Sequence, residues 1–276
     1  MNKNYSTPEK YIEQKKRIVV SILLISLIAA AILIDWVCGL AVTLFIAVGL
    51  YEFFTMLEKK GIRIYKYFGI VMGIVIPLSI VFNFELTKNW ELLFIVLAVL
   101  FLLLMQFTRR DSSGTIVGIS TTIFGILYVS WFMSFMIKIR YLNGGAGFIL
   151  SLLLIAKLGD VGAYLIGSRF GKTPLIPRIS PKKSVEGSIG GLLFSIVGAL
   201  ISKPLLNLPY HYLVCIGLFL GVLAQLGDLS ESLMKRDCQV KDSGTIFSVM
   251  GGALDVIDSL LFTAPVFYFY MSVILK

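Results

Sequence analysis

The chain has 276 residues, of which 57% are hydrophobic and only 15% charged, with a formal net charge of +9 at pH 7. A soluble domain carries about a quarter charged residues, so this composition excludes a water-soluble globule and points to an integral membrane protein. The positive charge falls mainly in short segments between apolar runs, as topology requires of membrane proteins, and gives no ground for nucleic-acid binding.

The first apolar stretch, KKRIVVSILLISLIAAA, resembles a signal peptide in its basic flank, its apolar core and Ala29-x-Ala31. The apolar run continues through Ile34, however, and another follows almost at once, so the sequence predicts a retained span at 17–34. Further spans are predicted at 36–57, 64–84, 90–107, 116–139, 147–167, 188–202, 210–234 and 252–275. The seventh is short and glycine-rich. Unsatisfied backbone is too costly in lipid for anything but helices or closed barrels, and uninterrupted apolar runs exclude the alternation of barrel strands. The expected fold is an all-α, polytopic bundle of about nine transmembrane helices. Residues 1–145 supply about five spans and 146–276 about four, integrated in one membrane domain.

Orientation follows from the basic residues in short loops. With the N-terminus inside, 19 of the 25 Lys and Arg lie on the cytoplasmic side. Lys88, Lys138, Arg140, Lys203 and Lys276 fall outside, and Lys157 lies within a span. The predicted topology is N-in and C-out, in the inner (plasma) membrane.

Cys38, Cys215 and Cys238 show no metal-binding spacing, and His211, the single histidine, falls on the outer side. Chemistry that depends on a histidine base or a histidine-rich metal site is therefore excluded. What remains is ionisable residues in apolar places, which are expensive and by default functional. Lys157 and Asp160 lie in the sixth span, Asp228 and Glu231 in the eighth, Asp255 and Asp258 in the ninth. Each pair is spaced i, i+3 and so shares a helix face. Two acidic faces can form an all-oxygen site for a hard cation such as Mg²⁺. Structural readings compete: Asp255 could answer a helix dipole, and Lys157 with Asp160 could be an ion pair that only fixes packing.

Two loops carry the opposite charge. Residues 168–191 hold Arg169, Lys172, Arg178, Lys182 and Lys183 ahead of a glycine-rich helix start. The second loop holds Lys235, Arg236 and Lys241 and ends at Gly251-Gly252. Basic side chains beside a glycine-opened helix suit a phosphate, although positive-inside charge alone could place any one of them.

The stretch from Ser232 to Asp258 closely resembles the signature of the phosphatidate cytidylyltransferases, also called CDP-diacylglycerol synthases. The matching residues are Ser232, Lys235-Arg236, Lys241-Asp242, Gly244, Gly251-Gly252, Asp255 and Asp258. GDLSES at 227–232, ISPKKSVEG at 179–187 and DVGAYLIGSRFGK at 160–172 also resemble that family, whereas the first 140 residues match only as a run of spans. Ser248 and Met250 stand where the family has Pro and His, Val256 where it has Arg, and Ser184 where Thr is common.

The resemblance implies transfer of the cytidylyl group of CTP to phosphatidic acid, giving CDP-diacylglycerol and pyrophosphate in phospholipid biosynthesis. It implies catalytic roles for Asp228, Asp255, Asp258, Lys235 and Arg236. Asp228, Asp255 and Asp258 would hold Mg²⁺, with Asp160 and Glu231 as further ligands and room for a second cation. Ser180, Lys182, Lys183, Ser184, Glu186, Ser232, Lys241, Asp242, Gly251 and Gly252 would bind substrate at the cytoplasmic surface. A related CTP-dependent transferase acting on another lipid phosphate, an ion-coupled transporter and a non-catalytic scaffold are the alternatives. A homodimer is expected from the commonness of twofold assemblies, and Gly69-x-x-x-Gly73 offers a surface for it.

Overall fold

A computed structural model describes residue 30 and residues 33–82, 90–108, 112–244 and 251–274. The predicted first span, 17–34, lies almost wholly outside the described residues, as do Ser248 and Met250. The described chain is a helical bundle: α1 (Asp35–Lys59), α2 (Lys66–Val81), α3 (Trp90–Phe107), α4 (Thr115–Arg140), α5 (Gly145–Phe170), α6 (Val185–Ile201), α7 (Tyr210–Asp237) and α8 (Ala253–Ile274). By length and apolarity α1, α4, α5, α7 and α8 can each cross a membrane, and α2, α3 and α6 are shorter apolar helices.

Helix starts follow local chemistry. Gly114 and Gly144 take left-handed φ values of 71° and 84° immediately before α4 and α5, where a side chain would be strained. Ser184 caps α6 by accepting a hydrogen bond from the Gly187 N–H at 3.1 Å. Within α4 a π-helical turn, Ile126–Trp131, puts the Ser130 hydroxyl 2.5 Å from the Gly73 carbonyl, to which it donates. Between α5 and α6, where the sequence suggests only a basic loop, two short antiparallel strands form: β1 (Pro174–Ile176) and β2 (Ser180–Ser184).

Ion pairs mark the two ends of the bundle. At one end Arg140 meets Asp35 at 2.6 Å. At the other, Lys66 meets Glu58 at 2.9 Å and Lys60 pairs with Asp237. The hairpin, the C-terminus of α7 and the start of α8 share this second end, because the Arg236 Nε–H donates to the Ile179 carbonyl at 3.2 Å.

Gly69 and Gly73 do not face outward. A Cβ at Gly69 would lie 2.6 Å from the Phe54 ring, and Gly73 packs against Leu50 and Ser130, so both are spent on contacts of α2 with α1 and α4. This corrects the expectation of a dimer surface there: small residues let helices approach closely, but here the approaching helices belong to the same chain.

Glycine also sets the packing of the C-terminal half. A Cβ at Gly198 would lie 3.1 Å from the Ile155 Cα, and one at Gly217 only 2.6 Å from the Ile196 Cα. Both neighbours are backbone and cannot rotate away, so α5, α6 and α7 are locked at short distances. Gly217→Ala should destabilise the protein by about 1–3 kcal/mol through overpacking, read as a lower thermal midpoint in detergent. Gly147→Ala, where the new Cβ would meet Leu205 at an ordinary 3.4 Å, should be neutral. Equal losses at the two positions would refute the packing account.

Candidate active site

The site is built on one face of α7, where Asp228, Glu231 and Lys235 recur at i, i+3 and i+7. The register of α7 is held by Gln225, which donates from Nε2 to the Ser188 carbonyl at 3.0 Å and accepts from the Ser188 hydroxyl. Against α8, Gly227 lies so close to the Asp258 carbonyl that a side chain could not be accommodated. This contact brings Asp228 beside Asp258.

Three lysines interleave with the carboxylates. Lys157 on α5 meets Asp160 at 3.1 Å and also reaches the Ser259 hydroxyl at 3.4 Å and the Val256 carbonyl at 3.5 Å. Lys183, from β2, pairs with Asp228. Lys235 sits between Glu231, one turn back on its own helix, and Asp255 on α8, at 2.5 Å from the latter. Lys235, Glu231 and Asp258 are buried, whereas Lys157 and Asp160 are exposed along α5.

Asp255 and Asp258, predicted to share a face, serve different neighbours. The second carboxylate oxygen of Asp255, Oδ2, accepts the Gly252 N–H at 2.7 Å, the Ser243 hydroxyl at 2.9 Å and the Ser243 N–H at 3.3 Å. Asp258 accepts the Ser259 N–H at 2.5 Å and lies in the field of Asp228, Lys157 and Asp160. Among the described residues no three His, Cys, Asp or Glu side chains gather around one point as metal ligands. Asp228 with Asp258 nevertheless fits a hard cation. Both are oxygen donors, they bring like charges together, and Mg²⁺ commonly takes one or two carboxylates and fills its other positions with phosphate and water. Asp255 joins such a set only by giving up one of its present partners.

Beside this cluster is a cavity of about 390 Å³ whose wall includes Asp160, Tyr164, Lys182, Lys183, Gln225 and Asp228. Ser184 also lines it, while capping α6. Other predicted substrate residues have different positions. Glu186 accepts the backbone N–H groups of Lys172 and Thr173 at 3.1 and 3.2 Å and so ties the hairpin to α6. Ser180 is half-buried in β2, Ser232 half-buried on α7, and Arg236, Lys241 and Asp242 are exposed beyond it. The Gly252 and Leu254 N–H groups at the start of α8, expected to face a phosphate, are taken by the carboxylates of Asp255 and Glu52. Gly251 supplies the φ of 96° that lets the chain turn into α8.

Glu52 and Ser243 belong to the same cluster but to none of the sequence motifs. Glu52 is an acid in the predicted span 36–57, and the rule that exposed the other intramembrane carboxylates applies to it equally.

The profile of the Cytidylyltransferase family matches residues 15–274, and the chain belongs to that family. Its relatives include a phosphatidate cytidylyltransferase of Synechocystis sp., 31% identical across 94% of this chain and 97% of that one. That of Bacillus subtilis is 34% identical over 82% and 85% of the two chains, and that of Thermotoga maritima 32% over 86% and 87%.

Asp258→Asn keeps the side-chain shape and removes the charge beside Asp228. It should lower cytidylyl transfer by about a hundredfold or more while elution and thermal midpoint stay unchanged. Near wild-type turnover in the folded variant would end the assignment of Asp258 to the reaction.

Proposed function

We propose that the protein transfers the cytidylyl group of CTP to phosphatidic acid, producing CDP-diacylglycerol and pyrophosphate for phospholipid biosynthesis. The observation that carries this reading is the pairing of Lys183 with Asp228 in the wall of a cavity, next to the contact of Gly227 with Asp258, in a membrane chain matched by the cytidylyltransferase family over 15–274. An oxygen of the lipid phosphate attacks the α-phosphorus of CTP; a new P–O–P linkage forms, the α–β bond breaks and pyrophosphate leaves. The attacking phosphate is already an anion at neutral pH, so no histidine base is needed. Positioning and charge neutralisation make up the catalysis, as in phosphoryl transfer generally.

Lys182 and Lys183 offer positive charge to phosphates in the cavity, and Lys235 offers it on the α8 side. Asp228 and Asp258 would hold Mg²⁺, which supplies neutralisation of the phosphates, with Asp255, Asp160 and Glu231 as the remaining anionic donors for it or for a second cation. An acyl chain would lie in a separate apolar groove of about 470 Å³ between α1, α4, α5 and α8, which has Lys157 in its wall. A lipid lying there would have its phosphate near the Lys157–Asp160 pair.

Purified protein with Mg²⁺, phosphatidic acid and labelled CTP should release pyrophosphate and form a labelled lipid. No labelled lipid with any divalent cation would sink the assignment, and label on a different lipid phosphate alone would redirect it.

We further propose the nine-span, N-in and C-out arrangement in the inner membrane, with the active site on the cytoplasmic side, and a homodimer. The clustering of basic side chains at the end that holds the hairpin supports this sidedness under the positive-inside rule. In a chain freed of its 3 cysteines, new cysteines at Lys183 and Lys241 should label from the cytoplasm and one at Asn143 from outside, on a particle of two-chain mass. Labelling of Lys183 and Asn143 from one side refutes the topology, and a one-chain mass by light scattering refutes the dimer.

A further inference from the structure

We infer that Glu52 is a positioning residue for the reaction: from α1 it ties the α7–α8 loop at Ser243 to the first turn of α8 and so sets Asp255 against Lys235. The inference rests on the cytidylyl-transfer reading. Glu52 is 3% exposed, deep among apolar side chains of α1, and no lysine or arginine is paired with it among the described ion pairs. A carboxylate is not kept in such a place for packing, because burial without compensation is costly.

Its partners are instead Ser243 in the α7–α8 loop and the first turn of α8. Oε2 accepts the Leu254 N–H at 3.0 Å, in the first turn of α8, and lies 3.2 Å from the Ser243 hydroxyl. Glu52 thus caps from another helix an N–H group that α8 cannot satisfy itself. The Ser243 hydroxyl has one proton and two carboxylates within reach, Asp255 Oδ2 at 2.9 Å and Glu52 Oε2 at 3.2 Å, and shares it between them as a three-centre bond. The backbone is shaped to the Glu52 carboxylate on both sides. A Cβ on Gly244 or Gly252 would collide with it, so the two glycines read as clearance for this side chain. Among the described residues Oε1 has no hydrogen-bond partner.

The chain Glu52–Ser243–Asp255–Lys235 therefore links the N-terminal helices to the reacting end. Displacing it loosens Ser243 and the first turn of α8, and with them the position of Asp255 against Lys235, which costs turnover because a misplacement of about 1 Å away from the chemistry can lower a rate about a hundredfold.

The test measures kcat and KM for CTP and the thermal midpoint for full-length Glu52→Ala, Glu52→Gln, Ser243→Ala and Glu52→Gln/Ser243→Ala in detergent with phosphatidic acid. Glu52→Ala should lower kcat about a hundredfold, with KM for CTP changed less than about threefold. Glu52→Gln keeps an acceptor for the Leu254 N–H and should lose less than about tenfold. Ser243→Ala should lose about tenfold at an unchanged thermal midpoint, and the double variant less than the product of the two single losses. A purely structural role makes the opposite forecast: lower midpoints, with kcat per folded molecule within about twofold of wild type. That result overturns the inference. If Glu52→Ala does not fold, Ser243→Ala and Glu52→Gln decide it, and wild-type kcat in both overturns it. Wild-type protein that makes no labelled lipid counts against the cytidylyl-transfer reading, whereas active wild type with active variants counts against Glu52 alone.

Discussion

A charge inside a membrane bundle is tolerated only where another charge or a set of hydrogen bonds answers it, and Lys235 is where this constraint acts most strongly. Its ammonium is held between Glu231 on the preceding turn and Asp255 on the neighbouring helix. Removing Lys235 would leave two buried carboxylates uncompensated, which costs far more than the pairs themselves contribute. The approach of α8 to α7, the turn at Gly251 and the position of Ser243 all serve to keep Asp255 in that grip. The same pattern recurs in Lys183 with Asp228 and in Lys157 with Asp160.

Such pairing suits a chemistry whose substrates are polyanions. A lysine held by a carboxylate can be transferred to a phosphate, and the carboxylate so released is an oxygen donor for a cation. Both kinds of group are then stored against each other in the substrate-free protein. The arrangement also accounts for a transferase that has no histidine near its reactive end: the acceptor phosphate brings its own negative charge, so the protein has to orient and neutralise rather than deprotonate.

Much of the architecture was legible from apolar run length. Spans predicted at 36–57 and 210–234 appear as Asp35–Lys59 and Tyr210–Asp237, because in lipid a long apolar run has few alternatives to a helix. The acids of the site were legible for the same energetic reason, with Glu52 overlooked although it obeys the same rule. Pairing across helices was not legible. Spacing puts Asp255 and Asp258 near one face, but only the crossing at Gly227 determines that one turns to Lys235 and the other to Asp228. The Gly69 and Gly73 pattern likewise states that something comes close, without stating that it is Phe54 and Leu50. The hairpin escaped because Pro174, Pro177 and Pro181 interrupt any alternation a strand would show.

The length of α6 has a consequence for where the substrates meet. Its 17 residues make a helix about 25 Å long, against about 30 Å for the hydrocarbon layer of a typical bilayer. It starts low relative to α7: Ser188 is bonded to Gln225, and α7 runs on from there to Asp237 for about a further 18 Å. The cavity over the start of α6 is therefore a recess with α7 as its taller wall. Lipid next to the short helix must thin locally to match it. A nucleotide from the water and a head group from the thinned leaflet can then reach the same depth, without the lipid having to leave the membrane.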